Sequence, residues 1–366
     1  MRQAAEATEL EKRMDYKLLG QSGLRVSEMF LGTMTFGEDW GWGAAPEECR
    51  RMIDVYAEAG GNVIDTAVNY TNGSSEEIVG QAIEKVRDRF VVCTKYTLTL
   101  DPTDPNAAGN HRKNLKRSLE RSLRRLRTDY VDVYWVHIWD PRTPIEETMR
   151  ALDDAVLAGK ILYVGLSDMP AWVVARANTL AQLKDWCPAV AIQVLYNLAC
   201  RDAERDLLPM ARALGLSVGA WSPLAGGLLS GKFTDPPAGS LPATRLEPAS
   251  LKDQELSLAR RLGEVAADLG ATPSQTAIAW TMARWPNVHP VIGARRVDQL
   301  RDNLGAVEVL ARLRGSDALE ELDAASRIEL GFPHDFIADT RQLVYGEAGL
   351  RVAERDATQS LRGPRL

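Results

Sequence analysis

The sequence predicts an α/β fold, a (β/α)8 TIM barrel with an N-terminal extension, a long loop after the seventh strand and a C-terminal tail. Eight short apolar runs alternate with segments of helical periodicity, which is typical of a parallel sheet covered by helices. These units span roughly 270 residues, and about 250 is typical of a closed barrel. A doubly wound open sheet would usually place a GxGxxG turn after an early strand, and the sequence has none. The barrel is therefore preferred.

The eight predicted strands are short and mostly aliphatic. They cover residues 29–32, 62–65, 90–95, 131–137, 161–167, 190–194, 216–221 and 288–293. Segments of helical periodicity lie between them, for example at 46–60, 74–86, 112–126, 144–159, 203–215 and 297–307. The first of these begins with Pro46 and closes with Gly60, a helix start and stop signal.

Two stretches depart from the repeating pattern. Residues 222–250 are rich in Gly, Pro and Ser and too long for a simple connection, so we expect a functional loop there. After about residue 311 the repeat ends, and residues 322–336 are expected to form an appended helix and loop. We divide the chain into an N-terminal extension (1–14), the barrel (15–340) and a C-terminal tail (341–366), because no linker separates a second domain.

Composition excludes several classes of partner. The chain of 366 residues has a net charge of −6, which argues against nucleic acid, and no apolar run is long enough to cross a membrane. Its four cysteines form no CxxC pair, which favours reduced thiols in a cytoplasmic protein. Its four histidines lack ligand-like spacing, so no metal is expected. The basic segment 112–126 has leucines at helical spacing, which predicts a helix with a solvated outer face.

Candidate catalytic residues follow from the strand ends, where barrels of this type place their active sites. Asp65 ends the second predicted strand, and Tyr70 follows in the adjoining loop. Lys95 ends the third strand and His137 ends the fourth. Three neighbouring units thus bring a carboxylate, a phenol, an ammonium and an imidazole to one rim.

This combination is suited to proton donation. A phenol of pKa about 10 is a poor acid at neutral pH, and we expect the Lys95 ammonium to lower the pKa of Tyr70. Asp65 would keep Lys95 charged through an ion pair, while His137 would hold a substrate carbonyl oxygen by a hydrogen bond. Such a site makes an alcohol from a carbonyl if hydride is supplied, which requires a nicotinamide cofactor.

The sequence resembles the aldo-keto reductases from about residue 15 to about residue 340. The resemblance is carried by the order and spacing of LGTMTFG, NVIDTAVNYTNGSSEEIVG, TKY, GNHRKNLKRSLERSLRRLRTDYVDVYWVH, GKILYVGLSD, AWSPLAGGLLSGKF and GARRVDQLRDNLGA. The closer likeness is to bacterial members and potassium-channel β-subunits. The catalytic tetrad of this family falls on Asp65, Tyr70, Lys95 and His137.

The resemblance implies NADPH as cofactor, bound in an extended form across the barrel mouth. It implies that Trp221 stacks on the nicotinamide ring, and that Arg295 binds the 2′-phosphate at the start of the last barrel helix. Asp168 departs from the family pattern, because an Asn usually follows Ser167 there and an ionised aspartate cannot donate a hydrogen bond.

The other implied cofactor residues fall into groups. The nicotinamide carboxamide is held by Ser167, Asp168 and Gln193, and the pyrophosphate by Ser222, Leu224, Gly226, Gly227 and Lys232. Gly32, Thr33 and Met34 form the loop beneath the nicotinamide ribose, and Gln299 and Asn303 contact the adenine. The predicted cofactor set is completed by Asp65, Pro223, Arg245 and Gly293.

Three functional hypotheses stay open. The first is an NADPH-dependent reductase of a small-molecule carbonyl with Tyr70 as general acid, and the second is a regulatory NADPH-binding module like a channel β-subunit. The third is a barrel aldolase with Lys95 as Schiff base. The walls of the substrate pocket are expected at Trp40, Trp42, residues 96–106, His111, Trp139 and residues 331–336. A homo-oligomer is compatible with the sequence.

Overall fold

Eight parallel strands close into a barrel in the computed structural model of this protein, which describes residues 14–234, 251–349 and 351. Two short strands precede them, β1 (Tyr16–Leu18) and β2 (Arg25–Ser27). The barrel strands are β3 (Phe30–Gly32), β4 (Val63–Asp65), β5 (Val91–Tyr96), β6 (Val131–Val136), β7 (Ile161–Ser167), β8 (Ala189–Leu195), β9 (Ser217–Trp221) and β10 (Val288–Ile292). Each strand pairs with its neighbour in sequence, and β10 closes the ring against β3.

The predicted barrel is confirmed strand by strand, with every boundary within one residue of the expected position. Strands β5 and β6 are buried along their whole length. Burial on both faces is why these segments are continuously apolar rather than alternating.

Helices cover the outside of the barrel. They are α1 (Pro46–Glu58), α2 (Ser74–Ile83), α3 (Arg112–Leu126), α4 (Ile145–Leu157), α5 (Ala171–Leu183), α6 (Leu207–Leu214), α7 (Asp253–Asp268), α8 (Pro273–Arg284), α9 (Val297–Leu304), α10 (Ala306–Arg314), α11 (Ala318–Ala325), α12 (His334–Asp339) and α13 (Arg341–Gly349). The basic helix α3 buries the leucines that the periodicity assigned to its inner face, Leu115, Leu119, Leu123 and Leu126.

The two irregular stretches have contrasting outcomes. After β9 a 3₁₀ turn forms at Ala225–Ser230, and residues 235–250 of the expected loop lie outside the described residues. The appended helix and loop near the C-terminus are confirmed, as α11 and the connection to α12. The division of the chain at residues 15 and 340 stays a prediction, and the predicted extension lies mostly outside the described residues.

A hairpin that the sequence pattern did not predict closes the N-terminal end of the barrel. β1 and β2 pair antiparallel, and Leu19 and Val26 are buried beside Val63 and Val91, the first residues of β4 and β5. The turn approaches the barrel so closely that a Cβ on Gly20 would lie 2.1 Å from the Val190 carbonyl oxygen. The C-terminal strand ends therefore form the mouth.

Within the described ranges, no helix is both long and apolar enough to span a membrane. The same ranges contain no group of three or more His, Cys, Asp or Glu side chains placed to hold a metal ion.

Candidate active site

Neighbouring strand ends deliver the four candidate catalytic side chains to the mouth of the barrel. Asp65 is the last residue of β4, and Lys95 is the last but one of β5. His137 directly follows β6, so that strand ends one residue earlier than expected. Tyr70 begins a 3₁₀ turn, Tyr70–Gly73, beyond β4. Because the strands are parallel, the strand-end rule brings these residues together as predicted.

Lys95 is the centre of the site, with 0% of its surface exposed. Its Nζ pairs with the Asp65 carboxylate and donates hydrogen bonds to the Thr66 carbonyl oxygen at 2.8 Å and the Tyr70 hydroxyl at 3.3 Å. Burial works against the charge on Lys95, but Asp65 and Tyr70 outweigh that effect, so the pKa of Lys95 is raised. The side chain is an ammonium at neutral pH.

The pKa of Tyr70 is also raised, which corrects the expected lowering. Burial of the phenol favours its neutral form, and this effect outweighs the attraction of a phenolate to Lys95. The lysine acts in the expected direction, but it opposes a larger effect. The phenol therefore holds its proton in the resting site.

His137 is neutral. Burial, assisted by the nearby Lys95 charge, lowers the pKa of His137 to about 3. Its ring meets the Tyr70 ring edge-on, with centroids 5.8 Å apart. Its Nδ1 is buried and has no hydrogen-bond partner among the described residues. A neutral imidazole in this position can form a hydrogen bond to a substrate oxygen without being an acid itself.

A polar network that no sequence motif indicates holds the strand end before His137. The backbone N–H of His137 donates to the Tyr96 carbonyl oxygen and the Thr97 hydroxyl, at 3.2 Å and 3.3 Å. Thr97 has φ of 110°, rare for a β-branched residue, and donates to Asn110 Oδ1 at 2.8 Å. Asn110 in turn donates to the Ile138 carbonyl oxygen. No sequence signal predicts a positive φ at a threonine.

Gln193 reaches across the barrel to Asp65. It lies on β8, four strands from β4 in either direction around the ring. Its Nε2 donates to Asp65 Oδ1 at 3.1 Å, so the carboxylate lies between an ammonium and an amide. The family resemblance implies only a cofactor contact for Gln193, and no sequence pattern indicates its contact with Asp65.

The residues expected around the nicotinamide meet on β7, β8 and β9. Ser167 ends β7 and is in register with Gln193, while Trp221 ends β9. The indole N–H of Trp221 donates to Asp168 Oδ1 at 3.0 Å. Burial raises the pKa of Asp168, although the bond from Trp221 opposes the rise. Both carboxylate oxygens of Asp168 can accept the indole N–H. An asparagine in the same place could accept it only through its single amide oxygen.

The loop after β9 has several residues in left-handed conformation. They are Ser222, Ala225, Gly226 and Gly227, with φ between 48° and 102°. Asn197 donates to the Ser222 carbonyl oxygen at 2.9 Å, an anchor that no motif indicated. A Cβ on Gly227 would lie 2.3 Å from Lys232 Nζ, so a side chain there would displace the ammonium. Pro223 and Leu224 lie in the same loop as Lys232, whereas Arg245 falls outside the described residues.

The residues expected around the adenine and its ribose phosphate surround the start of α9. The helix begins at Val297, two residues after Arg295, and the backbone N–H of Val297 donates to Glu48 Oε1 at 2.8 Å. A carboxylate from α1 thus occupies the helix start where we expected an anion site. The Arg295 N–H donates to Gln299 Oε1 at 3.0 Å.

Two further groups of predicted cofactor residues serve backbone contacts. Asn303 is buried and donates to the Gly293 carbonyl oxygen at 3.2 Å, so its amide is already engaged. Thr33 and Met34 follow Gly32, the last residue of β3. The backbone N–H of Thr33 donates to the Asp65 carbonyl oxygen at 2.9 Å. The Gly32–Met34 loop therefore lies beside the candidate tetrad.

Four tryptophans form two pairs on the segments that follow β3, β6 and β7. Trp40 and Trp42, in the loop after β3, have ring centroids 5.6 Å apart. Trp139, after β6, meets Trp172, in the first turn of α5, edge-on at 5.8 Å. In the segment 331–336, Phe332 is 85% exposed and its ring centroid lies 6.1 Å from that of Phe336, and the expected pocket wall there stays a prediction.

The sequence of this chain is similar to those of known oxidoreductases. A sequence model described as the Aldo/keto reductase family matches residues 28–324. A norsolorinic acid reductase of Aspergillus flavus is 37% identical over 335 residues, covering 88% of this chain and 84% of the relative. An aryl-alcohol dehydrogenase of Phanerodontia chrysosporium, named as NADP(+)-dependent, is 34% identical, with 87% of each chain covered. A putative aryl-alcohol dehydrogenase of Saccharomyces cerevisiae is 34% identical, with 87% of this chain and 88% of the relative covered.

Proposed function

Because this chain belongs to the aldo/keto reductase family, we propose that it reduces an aldehyde or ketone to an alcohol with hydride from NADPH and a proton from Tyr70. One observation carries the proposal. The protonated Tyr70 hydroxyl lies 3.3 Å from a buried ammonium, Lys95, which is itself ion-paired to Asp65. The resemblance and the barrel predicted from the sequence are confirmed. The closer likeness to bacterial members and channel β-subunits stays a prediction, as do the cytoplasmic location and a homo-oligomer.

Proton transfer follows from the charges of the site. The raised pKa of Tyr70 keeps its proton available until negative charge develops on the substrate oxygen. Once the proton leaves, the phenolate faces the Lys95 ammonium, which stabilises it. His137 is neutral and orients the carbonyl oxygen by a hydrogen bond rather than by donating a proton. Asp65 keeps the ammonium in place throughout.

The residues around the mouth suit a dinucleotide. A bound nicotinamide cofactor supplies hydride, which no side chain can provide. Trp221, half-buried at the end of β9, would stack on its ring, and the left-handed loop with Lys232 would hold its pyrophosphate. Arg295, ahead of α9, would hold the 2′-phosphate. A relative whose name specifies NADP(+) supports NADPH over NADH.

We expect an aromatic substrate. Two of the relatives reported above are named aryl-alcohol dehydrogenases, and two tryptophan pairs lie on the segments that follow β3, β6 and β7, with Trp172 in the first turn of α5. Trp40 is also tied to the Tyr70 loop, because its indole N–H donates to Asn72 Oδ1 at 3.3 Å. Aromatic faces of this kind stack well on planar rings.

The aldolase hypothesis is disfavoured by the state of Lys95. A Schiff base needs a neutral amine, and enzymes obtain one by lowering the pKa of a lysine. Here the pKa of Lys95 is raised by its ion pair with Asp65. The regulatory hypothesis predicts tight NADPH binding without turnover, so the experiment below tests it as well.

The test is substitution of the proton donor. We expect Tyr70→Phe to lower the turnover of 4-nitrobenzaldehyde at least a hundredfold, because general acid catalysis contributes about 10²–10⁴ in rate. The Kd of NADPH should change less than twofold, as measured by quenching of tryptophan fluorescence. Turnover is followed by NADPH absorbance.

Lys95→Met is the matched comparison, since it removes the ammonium and leaves the phenol. It should also lose turnover while NADPH still binds. Retained turnover in Tyr70→Phe would reject the proton-donor role. NADPH binding by the parent without turnover of any carbonyl in a panel of aldehydes, ketones, ketosugars and quinones would favour the regulatory hypothesis.

A further inference from the structure

The backbone directly after Tyr70 adopts an uncommon conformation. Thr71, Asn72 and Gly73 have φ of 44°, 55° and 107°, three consecutive residues in the left-handed region. Non-glycine residues rarely adopt this region, and such conformations persist only where the surroundings determine them strongly. The segment that carries the phenol is therefore held by contacts from outside it.

Arg125 on α3 provides two of those contacts, beside the hydrogen bonds that join Thr71 to the Phe36 carbonyl oxygen and Trp40 to the Asn72 side chain. Its Nη1 donates to the Val68 carbonyl oxygen at 2.8 Å, and its Nη2 donates to the Asn72 carbonyl oxygen at 3.2 Å. These carbonyls lie two residues before and two residues after Tyr70. The fork of a guanidinium fits such a pair, because its donors are rigidly spaced. Glycine is required at position 73, where a Cβ would lie 2.1 Å from Arg125 Cζ.

Glu76 also holds the guanidinium. It is fully buried, and its Oε2 lies 3.3 Å from Arg125 Nη1. Its Oε1 accepts a hydrogen bond of 2.7 Å from the hydroxyl of Thr94, the residue before Lys95. One buried carboxylate thus connects the strand that carries the ammonium to the arginine that holds the phenol loop.

We propose that Arg125, oriented by Glu76, is a positioning residue that fixes the Tyr70 phenol against Lys95. This inference rests on the proposed function, in which Tyr70 donates the proton. The guanidinium touches neither Tyr70 nor Lys95 through its own hydrogen bonds, so it acts through the backbone on both sides of the phenol. A merely structural arginine between α2 and α3 would stabilise the fold without governing the geometry of the proton donor.

The first test measures the loop directly by hydrogen exchange and mass spectrometry. In Arg125→Met, amide exchange in peptides covering residues 66–76 should become at least tenfold faster, because the Val68 and Asn72 carbonyls lose their donors. Peptides covering 131–136 and 161–167 should keep the rates of the parent. Arg124→Met is the matched control, since Arg124 is exposed on the same helix, and its exchange should equal that of the parent throughout.

The second test separates kcat from KM, with NADPH and 4-nitrobenzaldehyde as the probe. Arg125→Met should lower kcat at least tenfold and change the KM of the aldehyde and the Kd of NADPH less than threefold. Arg125→Lys retains the charge beside Glu76 but reaches one carbonyl at a time, so its kcat and its loop exchange should be intermediate. Arg124→Met should match the parent.

Three results would overturn the inference. They are unchanged exchange in 66–76, exchange accelerated equally in all peptides, and Arg125→Lys indistinguishable from the parent in both measurements. A parent enzyme that does not reduce the aldehyde would reject the proposed function instead. In that case exchange in Arg125→Met and Arg125→Lys still decides whether Arg125 holds the loop.

Discussion

Among single residues, the buried ion pair of Lys95 and Asp65 is the most consequential. Side chains with 0% and 1% of their surface exposed keep a full charge only when partners replace water. Lys95 has three such partners, and one of them is the Tyr70 hydroxyl. The proton donor of the site is therefore also part of what makes the ammonium tolerable in the barrel interior. A substitution of Tyr70 therefore removes both the proton donor and one hydrogen-bond partner of the Lys95 ammonium.

Cofactor preference is testable at Arg295 and Glu48. We expect Arg295→Ala to weaken NADPH at least tenfold more than NADH, because a hydrogen bond between charged groups contributes about 1.5–3 kcal/mol. Glu48→Gln should act in the opposite direction and tighten NADPH about threefold, since a charge at a helix start is worth about 0.3–1 kcal/mol. The Glu48 carboxylate now accepts the N–H of Val297 at the start of α9.

Kd values from tryptophan fluorescence would check both changes. Asp298→Asn serves as a control, because Asp298 pairs with the exposed Arg296 on the outer side of the same helix start. Equal losses of NADPH and NADH in Arg295→Ala would remove the 2′-phosphate assignment. Equal gains in Glu48→Gln would show that the carboxylate does not discriminate.

The sequence allowed the four candidate catalytic residues to be predicted because one rule, chemistry at strand ends, applies to each of them independently. Their partners escaped prediction for a physical reason. Gln193 and Asp65 are 128 residues apart, and Glu48 and Val297 are 249 apart. Such contacts depend on the closure of the ring and on the exact rotamers, and neither follows from local pattern. Whether the pKa of Tyr70 is raised or lowered also depends on how deeply the phenol is buried, which the spacing of residues in the sequence does not reveal.

On the scale of elements, prediction succeeded where a segment was apolar or periodic and failed where it was short and polar. β5 and β6 each present six consecutive buried residues. The leucine stripe of α3 likewise indicated a helix and its inner face. β1 (YKL) and β2 (RVS) are as short as β3 and β4, but they contain charged and polar residues where β3 and β4 are mainly apolar, so neither shows the pattern of a strand. The hairpin was therefore absorbed into the predicted start of the barrel.

β10 contributes a pH-sensitive element through His289. This residue is fully buried and stacks on Phe30 with centroids 4.7 Å apart. Burial lowers the pKa of His289 to about 3, whereas an unfolded histidine titrates near 6.5. Between these values the unfolded chain binds a proton that the folded chain excludes. The contribution of His289 to the free energy of unfolding should therefore be complete above pH 6.5 and be lost progressively as the pH decreases toward 3.

Urea unfolding of the parent and His289→Asn between pH 6.5 and 5 would measure this contribution. The parent should lose about 1.1 kcal/mol per pH unit more than the variant on average over this interval, because the unfolded histidine is only half protonated at pH 6.5 and the limit for one proton is about 1.4 kcal/mol per pH unit. Other titrating groups, including His137, are present in both proteins and cancel in the difference. Identical slopes would show that His289 takes up a proton in the folded protein as readily as in the unfolded chain.

On the scale of the whole molecule, the buried apolar residues of the described ranges form two hydrophobic clusters. The larger cluster lies between the strands and the surrounding helices, and the smaller one fills the barrel interior. Trp135 belongs to the smaller cluster, and it leaves no space for a Cβ on Gly165 of the neighbouring strand, which would lie 2.2 Å from its ring. The interior is thus a packed core, and the chemistry is confined to its upper layer.

The hairpin of β1 and β2 gives the barrel a floor, so every molecule that uses the site must arrive and depart through a single opening. If the nicotinamide lies against Asp65 and Lys95 at the base of that opening, a substrate that entered first would block the dinucleotide behind it. Binding should then follow a compulsory order, with NADPH first in and NADP+ last out. In product-inhibition kinetics, NADP+ should compete with NADPH alone, while the alcohol product should compete with neither ligand. Product inhibition typical of random-order binding would show that the carbonyl substrate does not block the entry of the dinucleotide.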